Sequence, residues 1–572
     1  MHGIILGGAL EREDTSETRN QAQSMKIRGE ATRASRGEQW VNIKRSAGAH
    51  RIATELRRNG WDIEVLDFWP AWTEEELLQF FESRVRSDTV WVGISSMFPI
   101  AGPGDEGHKI MAGLNAKIAA IRKEHPQLKW IGGSQNLTAG LGYHLDYHIA
   151  GFAEVGIIEL LKYITGKGPE PAGMETRNIW GMDKTIINCR HSHPAFPWPH
   201  AGISYEERDF MREDDVPVIE FSRGCKFKCK FCSFSVLGVK GDYSRDEESL
   251  YNELMENYVK WGIETYSVSD ETINDDDAKL EKLARVAKRL PFKPKFQGFI
   301  RADLLAIKEH QWPLLWDAGI HSHLYGIETL NHEAGKFVGK GMDPEKLKVG
   351  LLKAQDYFKE KGYFRCTVSN IIGIPGETED SFYEGREWIL NNLKGHSYSF
   401  FPLFIGQGLT MQLMTNPSVL ETEWAKRDPN NPGKLWETNA EEMGVDYGEI
   451  SEPLRATAKF YMEAPAVAKW QNKDMNIWQA FKLFNKIATE PLLPSSIAPG
   501  IFFYHRYLTG GKYTHEDMQK PFVDQSVIDA KGGIQNLEIS DYNIDPNITE
   551  AYEIQMGIIE DYKRKKLTWN DK

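Results

Sequence analysis

Ser222-Arg223-Gly224-Cys225-Lys226-Phe227-Lys228-Cys229-Lys230-Phe231-Cys232 is the stretch on which the reading of this chain turns. Its cysteines are spaced C-x3-C-x2-C, and it follows directly on Val216 to Ser222, an apolar run that reads as a strand. A loop leaving the C-terminal end of a strand in an α/β sheet stands where ligands bind. Three thiolates on one tight loop can hold three irons of a cubane, which leaves the fourth iron open to a substrate or cofactor. The competing reading is a structural zinc site, but such sites draw their ligands as two close pairs, and no second pair exists here.

Outward from that loop, residues 215–405 alternate strand and helix. Strands are expected at about 216–222, 264–270, 296–302, 321–328, 364–373 and 397–404, with helices such as Glu248 to Trp261, Asp277 to Arg289 and Pro344 to Lys361 between them. Six βα units are too few for an eight-fold barrel, so a partial (βα)6 barrel is expected. Residues 1–166 carry a second alternation: strands at Ile4 to Leu6, Trp61 to Phe68, Thr89 to Ser95, Lys129 to Gly132 and Tyr147 to Ala150, with helices from Ala47 to Asn59, Glu74 to Val85, Glu106 to Glu124 and Glu154 to Ile164. That pattern predicts a flavodoxin-like or Rossmann-like parallel sheet. Residues 167–214 are rich in Pro, Gly, His and Trp without sustained periodicity and read as a linker. Residues 406–572 read as mainly helical with a polar tail, including helices at Leu454 to Lys469 and Ile477 to Ile487. The fold class is therefore α/β.

Composition sets limits on function. The chain has 572 residues, 41% hydrophobic and 26% charged, as expected of a globular protein of several domains. A net charge of −13 argues against binding along a nucleic-acid backbone. No run of eighteen apolar residues predicts a membrane span. Of five cysteines, three lie within the eight residues 225–232, so a disulfide framework is excluded and a metal loop in a reducing cytoplasm is expected. Cys366, in an expected strand, reads as a small buried residue. Cys189-Arg190-His191-Ser192-His193 resembles a metal triplet, but its spacing suits neither a helix face nor a common zinc knuckle.

The motif C-x3-C-x-aromatic-C, with Phe231 as the aromatic, resembles the signature of the radical S-adenosylmethionine (SAM) superfamily. That resemblance implies a [4Fe–4S] cluster on Cys225, Cys229 and Cys232, and SAM chelated to the open iron. It also implies an electron donor such as flavodoxin or ferredoxin, and cleavage of SAM to methionine and a 5′-deoxyadenosyl radical, chemistry that only a cofactor supplies. Further strand ends resemble the family's SAM-facing positions. Glu271 follows the second strand, where an acid meets the SAM amino group. Arg301 follows the third, near the SAM carboxylate. Tyr325-Gly326-Ile327-Glu328 ends the fourth, with Glu328 toward the ribose. Gly373-Ile374-Pro375-Gly376-Glu377-Thr378 ends the fifth, with Gly373, Pro375 and Gly376 on the adenine side.

A flavodoxin-like domain ahead of such a barrel is similar to the cobalamin-dependent subgroup. Arg45-x-x-Gly48, Ser95, Gly132-Gly133 and Gly151-Phe152-Ala153-Glu154 match it, implying a rim of Gly and Ser (Ser95, Gly132, Gly133 and Gly151) against a corrin and its nucleotide tail. One motif is missing: Asp67-Phe68-Trp69-Pro70 stands where other cobalamin proteins have a His-bearing D-x-H-x-x-G. Trp69 or Trp72 would then cover the lower corrin face, or simply pack. The insertion from Glu11 to Lys44 leaves the first strand end as a lid or a solvated loop. Three functions are carried forward. The leading one is a cobalamin-dependent methyltransferase acting on an unactivated carbon of a small-molecule or peptide substrate. The others are a cobalamin-free radical SAM oxidoreductase, rearrangement or cyclisation enzyme, and a non-catalytic metal-binding interaction protein.

Overall fold

A computed structural model describes residues 1–8, 45–95, 105–134, 144–179, 182–189, 196–213, 215–229, 231–232, 243–361, 365–393, 397–403, 475, 477–488, 524–532 and 546–569. The insertion at 11–44, the helix expected over 454–469, and His191 and His193 fall outside these residues, as does the side chain of Cys366.

Two sheets carry the architecture. In the first, β1 (His2–Gly7), β2 (Asp62–Leu66), β3 (Thr89–Ser95), β4 (Lys129–Ser134) and β5 (Tyr147–Gly151) run parallel in the order β2-β1-β3-β4-β5. This is the flavodoxin-like order, whose ligand crevice lies at the strands' C-terminal ends beside the β1/β3 switch. Local signals set the connecting helices. Ser46 caps Ala47–Arg58 by accepting from the Ala49 N–H, and Gly60, at φ 80°, ends that turn. Thr73 and Glu76 form a capping box on Glu74–Arg84.

One expectation is corrected. Part of the stretch read as a linker is sheet: β6 (Met174–Ile179) and β7 (Met182–Cys189) form an antiparallel pair, and β7 pairs parallel with β5. Being the outer edge, β6 carries Glu175, Arg177 and Asn178, charges and amide that blunt further pairing and also erase the apolar alternation that marks a strand.

Both faces of the first sheet are covered. Ala49, Ala53 and Leu56 of helix Ala47–Arg58 and Leu160 and Leu161 of Gly156–Ile164 pack on Ile5, Ile63, Val65 and Trp91. Leu77, Phe80 and Phe81 pack on Ile4, Leu66 and Val92 of the other face, together with Ile558 and Tyr562 of the C-terminal helix Pro546–Thr568. Each large side chain so buried contributes about 1.5–3 kcal/mol.

The second sheet has six parallel strands in sequential order: β8 (Val218–Ile219), β9 (Thr265–Val268), β10 (Lys295–Arg301), β11 (Ile320–Glu328), β12 (Arg365–Ile372) and β13 (Ser397–Pro402). Among the described residues β8 and β13 do not pair, so the barrel is left open as expected. Tyr266, Val268, Phe296, Ile300, Tyr325, Ile327, Val368 and Ile372 face the helical layer in one core. Strand alternation then leaves Phe299 and Arg301 of β10 and Glu328 of β11 on the opposite, inner face. Helix Ile477–Ala488 closes part of the outside, with Ala480, Leu483 and Ile487 in that same core. Among the described residues no helix is long and apolar enough to cross a membrane.

Candidate active site

The cysteine loop springs from the end of β8, and its base is pinned on several sides. The Arg223 N–H donates to the Tyr243 carbonyl at 3.2 Å and the Arg245 N–H to the Phe221 carbonyl at 2.8 Å, closing the loop's two ends on each other. Asp270, beyond β9, accepts from the Phe221 N–H at 2.7 Å and from Ser222 Oγ at 2.5 Å. Lys279 Nζ reaches Ser222 Oγ at 3.0 Å and Asp275 at 2.7 Å. Gly224 sits at φ 92°, a left-handed turn that suits glycine, and its N–H donates to Glu271 Oε2 at 3.1 Å. Burial pushes the Glu271 carboxyl up to about 7.

Cys229 is buried, while Cys225 and Cys232 are half-buried; none is in a disulfide. Burial pushes the Cys225 thiol up, and its Sγ lies 3.5 Å from Thr272 Oγ1. The Cys232 N–H donates to the Cys229 carbonyl at 3.0 Å, folding the last two cysteines into one turn. Arg301 NH1 donates to Cys229 Sγ at 2.9 Å, with its guanidinium carbon 3.8 Å from the Phe227 ring centre and Asp303 holding its other nitrogens. Among the described residues no three His, Cys, Asp or Glu side chains are gathered to hold a metal as they stand. A centre on this loop therefore requires its thiols to turn inward together. The donor set fits a three-thiolate cluster: three sulfurs on one loop with a pinned base, and an arginine facing the most buried one.

The other strand ends gather around this loop. Glu328, the last residue of β11, sits at φ 66°, a strained backbone for a glutamate and a frequent mark of a functional position. Lys340 holds it: Nζ meets Glu328 Oε1 at 2.8 Å and the Gly326 carbonyl at 2.9 Å, and lies 5.7 Å from the centre of the Phe231 ring. The neighbouring Gly339, at φ 82°, approaches the cysteine loop closely enough that a Cβ would stand 3.9 Å from Cys229 Cα. Phe231 itself packs with Ala334, Val338, Ile371 and Ile374.

At the end of β12, Gly373 takes φ 87° and a Cβ there would stand 2.9 Å from Ala480 Cβ; Pro375 is buried, and exposed Gly376 takes φ 94°. Glu377 accepts from Thr329 Oγ1 at 2.6 Å and from the Gly373 N–H at 3.2 Å, stapling the ends of β11 and β12. Burial pushes its carboxyl up to about 8. Because the folded form keeps a proton that the unfolded chain loses near pH 4.3, this group makes stability fall as pH rises from there to about 8. Glu377→Gln, which can still accept from Gly373 and reach Thr329, is expected to flatten that slope and stabilise the chain at pH 8 by roughly a few kcal/mol, at about 1.4 kcal/mol per pH unit. Urea midpoints for both proteins across pH 5–9 check this; parallel curves would refute it.

The rim of the first sheet is built from small residues. Ser95 ends β3 and accepts from Ser46 Oγ at 3.2 Å, while a Cβ on Gly48 would stand 2.7 Å from Ser95 Oγ. Gly132 is packed under Leu145, but among the described residues a Cβ at Gly133 would meet nothing within 4 Å; Gly151 ends β5 at φ 98°. The residues 96–104 and 135–143 that follow β3 and β4 lie outside the description. Asp67 is engaged by His50 Nε2 at 2.8 Å, Arg45 at 3.3 Å and the Ser46 N–H at 3.2 Å, and Trp69 and Trp72 are buried in the core with Phe80, so packing is the reading that holds for both tryptophans. The two rims are joined. Arg223, on the cysteine loop, is ion-paired with Glu154 just beyond Gly151, and Arg51 pairs with Glu220 at 2.9 Å.

Sequence reasoning placed Glu271, Arg301, Glu328 and the cysteines at neighbouring strand ends, where the structure has them. It missed Lys340, whose Gly339-Lys340-Gly341 setting reads as a bare turn, and the partnership of Arg223 with Glu154.

Comparison with known proteins agrees with this geometry. Residues 219–389 match the family described as the Radical SAM superfamily. An uncharacterised methyltransferase of Pyrococcus horikoshii is 26% identical over 245 residues, a match spanning 41% of this chain and 50% of that relative. The solved structure of OxsB, described as a cobalamin-dependent S-adenosylmethionine radical enzyme with aqua-cobalamin and S-adenosylmethionine bound, aligns with 98% of this chain and 72% of its own at 11% identity and a TM-score of 0.50, a likeness of fold. TsrM of Kitasatospora setae, a radical S-adenosylmethionine methyltransferase solved with tryptophan and a SAM analogue, aligns with 69% of this chain and 72% of its own at 16% identity and a TM-score of 0.49. Three cysteines on the β8 loop and strand-end residues gathered beside them lie within residues 219–389, the region of this chain that matches the Radical SAM superfamily.

Proposed function

We propose that the chain is a cobalamin-dependent radical SAM enzyme that transfers a methyl group to an unactivated carbon. The observation that carries this reading is the direct junction between the two rims: the small-residue edge at Ser95, Gly133 and Gly151 is tied by Glu154 to Arg223 of the cysteine loop. A group seated on the first edge would face one seated on the second. The name of the Pyrococcus relative and the fold of OxsB support the same reading.

When bound, the cluster, SAM and corrin would supply radical generation and methyl delivery. The chain's own residues bind and orient. Cys225, Cys229 and Cys232 would hold the cluster, with Arg301 facing Cys229; it would meet a carboxylate by exchanging its pairing with Asp303. Glu271 offers a carboxylate to an ammonium group, whose charge would draw its proton affinity down from about 7. Glu328, held by Lys340, offers acceptors to a diol. Gly373, Pro375 and Gly376 shape a backbone wall against a flat ring. The first domain would receive a corrin without the motif's histidine, because Trp69 stands at that position and Asp67 is paired with Arg45 and His50.

Full-length protein reconstituted anaerobically with iron and sulfide, mixed with hydroxocobalamin and passed over a gel-filtration column, tests this. Corrin absorbance is expected to co-elute with the protein. If none is retained while 5′-deoxyadenosine still forms under dithionite, the methyltransferase reading falls and a corrin-free oxidation, rearrangement or cyclisation takes its place. Where corrin is retained, metabolites that gain the mass of one methylene identify the acceptor.

A further inference from the structure

Arg223 precedes the first cysteine by two residues, yet its side chain points away from the loop and into the first domain. It is 4% exposed. Its guanidinium is paired with Glu154 and with Glu220, at 3.1 Å to Oε1 and 3.2 Å to Oε2. Three aromatic rings surround it, with centroids 4.1 Å away for Trp198, 4.4 Å for Phe152 and 5.5 Å for Phe196. Glu154 and Phe152 both follow Gly151 at the end of β5, so two of the five groups around Arg223 belong to the first domain's rim.

The backbone shares in the arrangement. The Arg223 N–H and the Trp198 indole N–H both donate to the Tyr243 carbonyl, at 3.2 and 2.6 Å. Glu220 continues the chain of charges to Arg51 on helix Ala47–Arg58, the helix whose Gly48 abuts Ser95. A buried cation is costly unless carboxylates and rings surround it, and mere adhesion between domains could be had from apolar contact alone. Here the charge is spent on one backbone position, next to Gly224, whose N–H is the contact to Glu271.

We propose that Arg223 is a positioning residue for the reaction: clamped by Glu154, Glu220 and the Phe152–Trp198 rings, it fixes Gly224 and Cys225 relative to the first domain and so sets how the three-cysteine centre presents its open position to SAM. The pair Glu154–Arg223 thereby makes the rim of the first domain part of the SAM-binding apparatus. This rests on the radical SAM assignment alone and holds whether or not a corrin is bound.

The test uses full-length, corrin-free protein reconstituted anaerobically: wild type, Glu154→Gln and Arg223→Lys. Glu154→Gln keeps the shape of the side chain and leaves Glu220 in place, so it serves if Arg223→Lys folds poorly. Iron content and thermal midpoint report folding. The electron paramagnetic resonance spectrum of the dithionite-reduced centre with and without SAM, and KM and kcat for 5′-deoxyadenosine formation, report positioning. Both variants are expected to keep their iron, to show an altered SAM-dependent spectrum, and to raise the KM for SAM about tenfold, with Arg223→Lys the worse because an ammonium cannot serve two carboxylates and three rings at once. A wild-type SAM-dependent spectrum with unchanged KM in iron-loaded variants overturns the proposal. So does a fall in thermal midpoint with wild-type KM and spectrum in the iron-loaded fraction, which would reduce the pair to ordinary structural support.

Discussion

Cys229→Ala is expected to abolish 5′-deoxyadenosine formation under dithionite, to below detection, and to strip the reconstituted protein of most of its iron and sulfide. Three thiolates can satisfy three irons of a cubane; with two, a second iron loses its protein ligand and the centre no longer assembles. Cys229 is the most informative of the three, because it is the buried one and its sulfur is the partner of Arg301. The fold should survive: removing one sulfur from a loop whose base is held by Asp270, Lys279 and the Tyr243 and Phe221 carbonyls costs about 1 kcal/mol, visible as a small drop in the thermal midpoint. Cys189→Ala is the matched control. Burial pushes that thiol up to about 11, so it stays protonated at neutral pH, and its sulfur packs where a Cβ on Gly156 would stand 2.5 Å away. It should change neither iron content nor product. Unimpaired 5′-deoxyadenosine from Cys229→Ala would sink the cluster assignment; its absence from the wild type would favour a metal-binding protein without catalysis.

How much of this was legible beforehand depends on the range of the interactions involved. All six strands of the second sheet could be read because each is a short apolar or alternating run between helices with marked ends, as in Asp276 capping Asp277–Arg289 or Gly262 ending Glu247–Trp261. The cysteine loop was legible because its chemistry is local: three ligands within eight residues. The strand β6 was not, since an edge strand carrying Glu175 and Arg177 follows no apolar rhythm. Nor was Lys340, because nothing near it in sequence says that Glu328, twelve residues earlier, will be its partner. Glu154 illustrates the mixed case. Its position at the first domain's rim could be read from Gly151-Phe152-Ala153, but its commitment to Arg223, 69 residues on, is a fact of tertiary structure. The C-terminal helix is the extreme one: Tyr562 lies 495 residues from the Asp67 N–H that donates to it, and Lys566 reaches Glu64, 502 residues away, at 3.2 Å.

That long-range closure concentrates in one arginine, and Arg45→Ala is expected to be the most destabilising single substitution outside the cores. Arg45 is 1% exposed at the junction of the first domain, the segment leading to β8 and the C-terminal helix. Its nitrogens bond Asp215 Oδ2 at 2.7 and 3.0 Å, Asp67 Oδ2 at 3.3 Å and the carbonyls of Asp209 and Phe210 at 3.1 and 2.9 Å, while Tyr562 and Phe68 place their rings 4.9 and 5.2 Å from its guanidinium carbon. Removing it takes the shared guanidinium from two buried carboxylates, Asp67 and Asp215, a loss of about 3–5 kcal/mol. Arg45→Lys should recover only part of this, since one ammonium cannot span two carboxylates and two carbonyls. The pH dependence separates charge loss from lost packing. Burial pushes the Asp67 carboxyl up, but His50 and then Arg45 outweigh it, and the group rests well below the ordinary aspartate range. A carboxylate depressed in this way contributes stability that is present above the unfolded value near 3.9 and is lost as pH falls through the lower folded one. The gap between wild type and Arg45→Ala should therefore be full at pH 7 and shrink below pH 4. Urea denaturation at both pH values measures it. A gap that stays constant into acid would mean that Arg45 acts by filling space between Phe68 and Tyr562, and that the ion pairs around it contribute little.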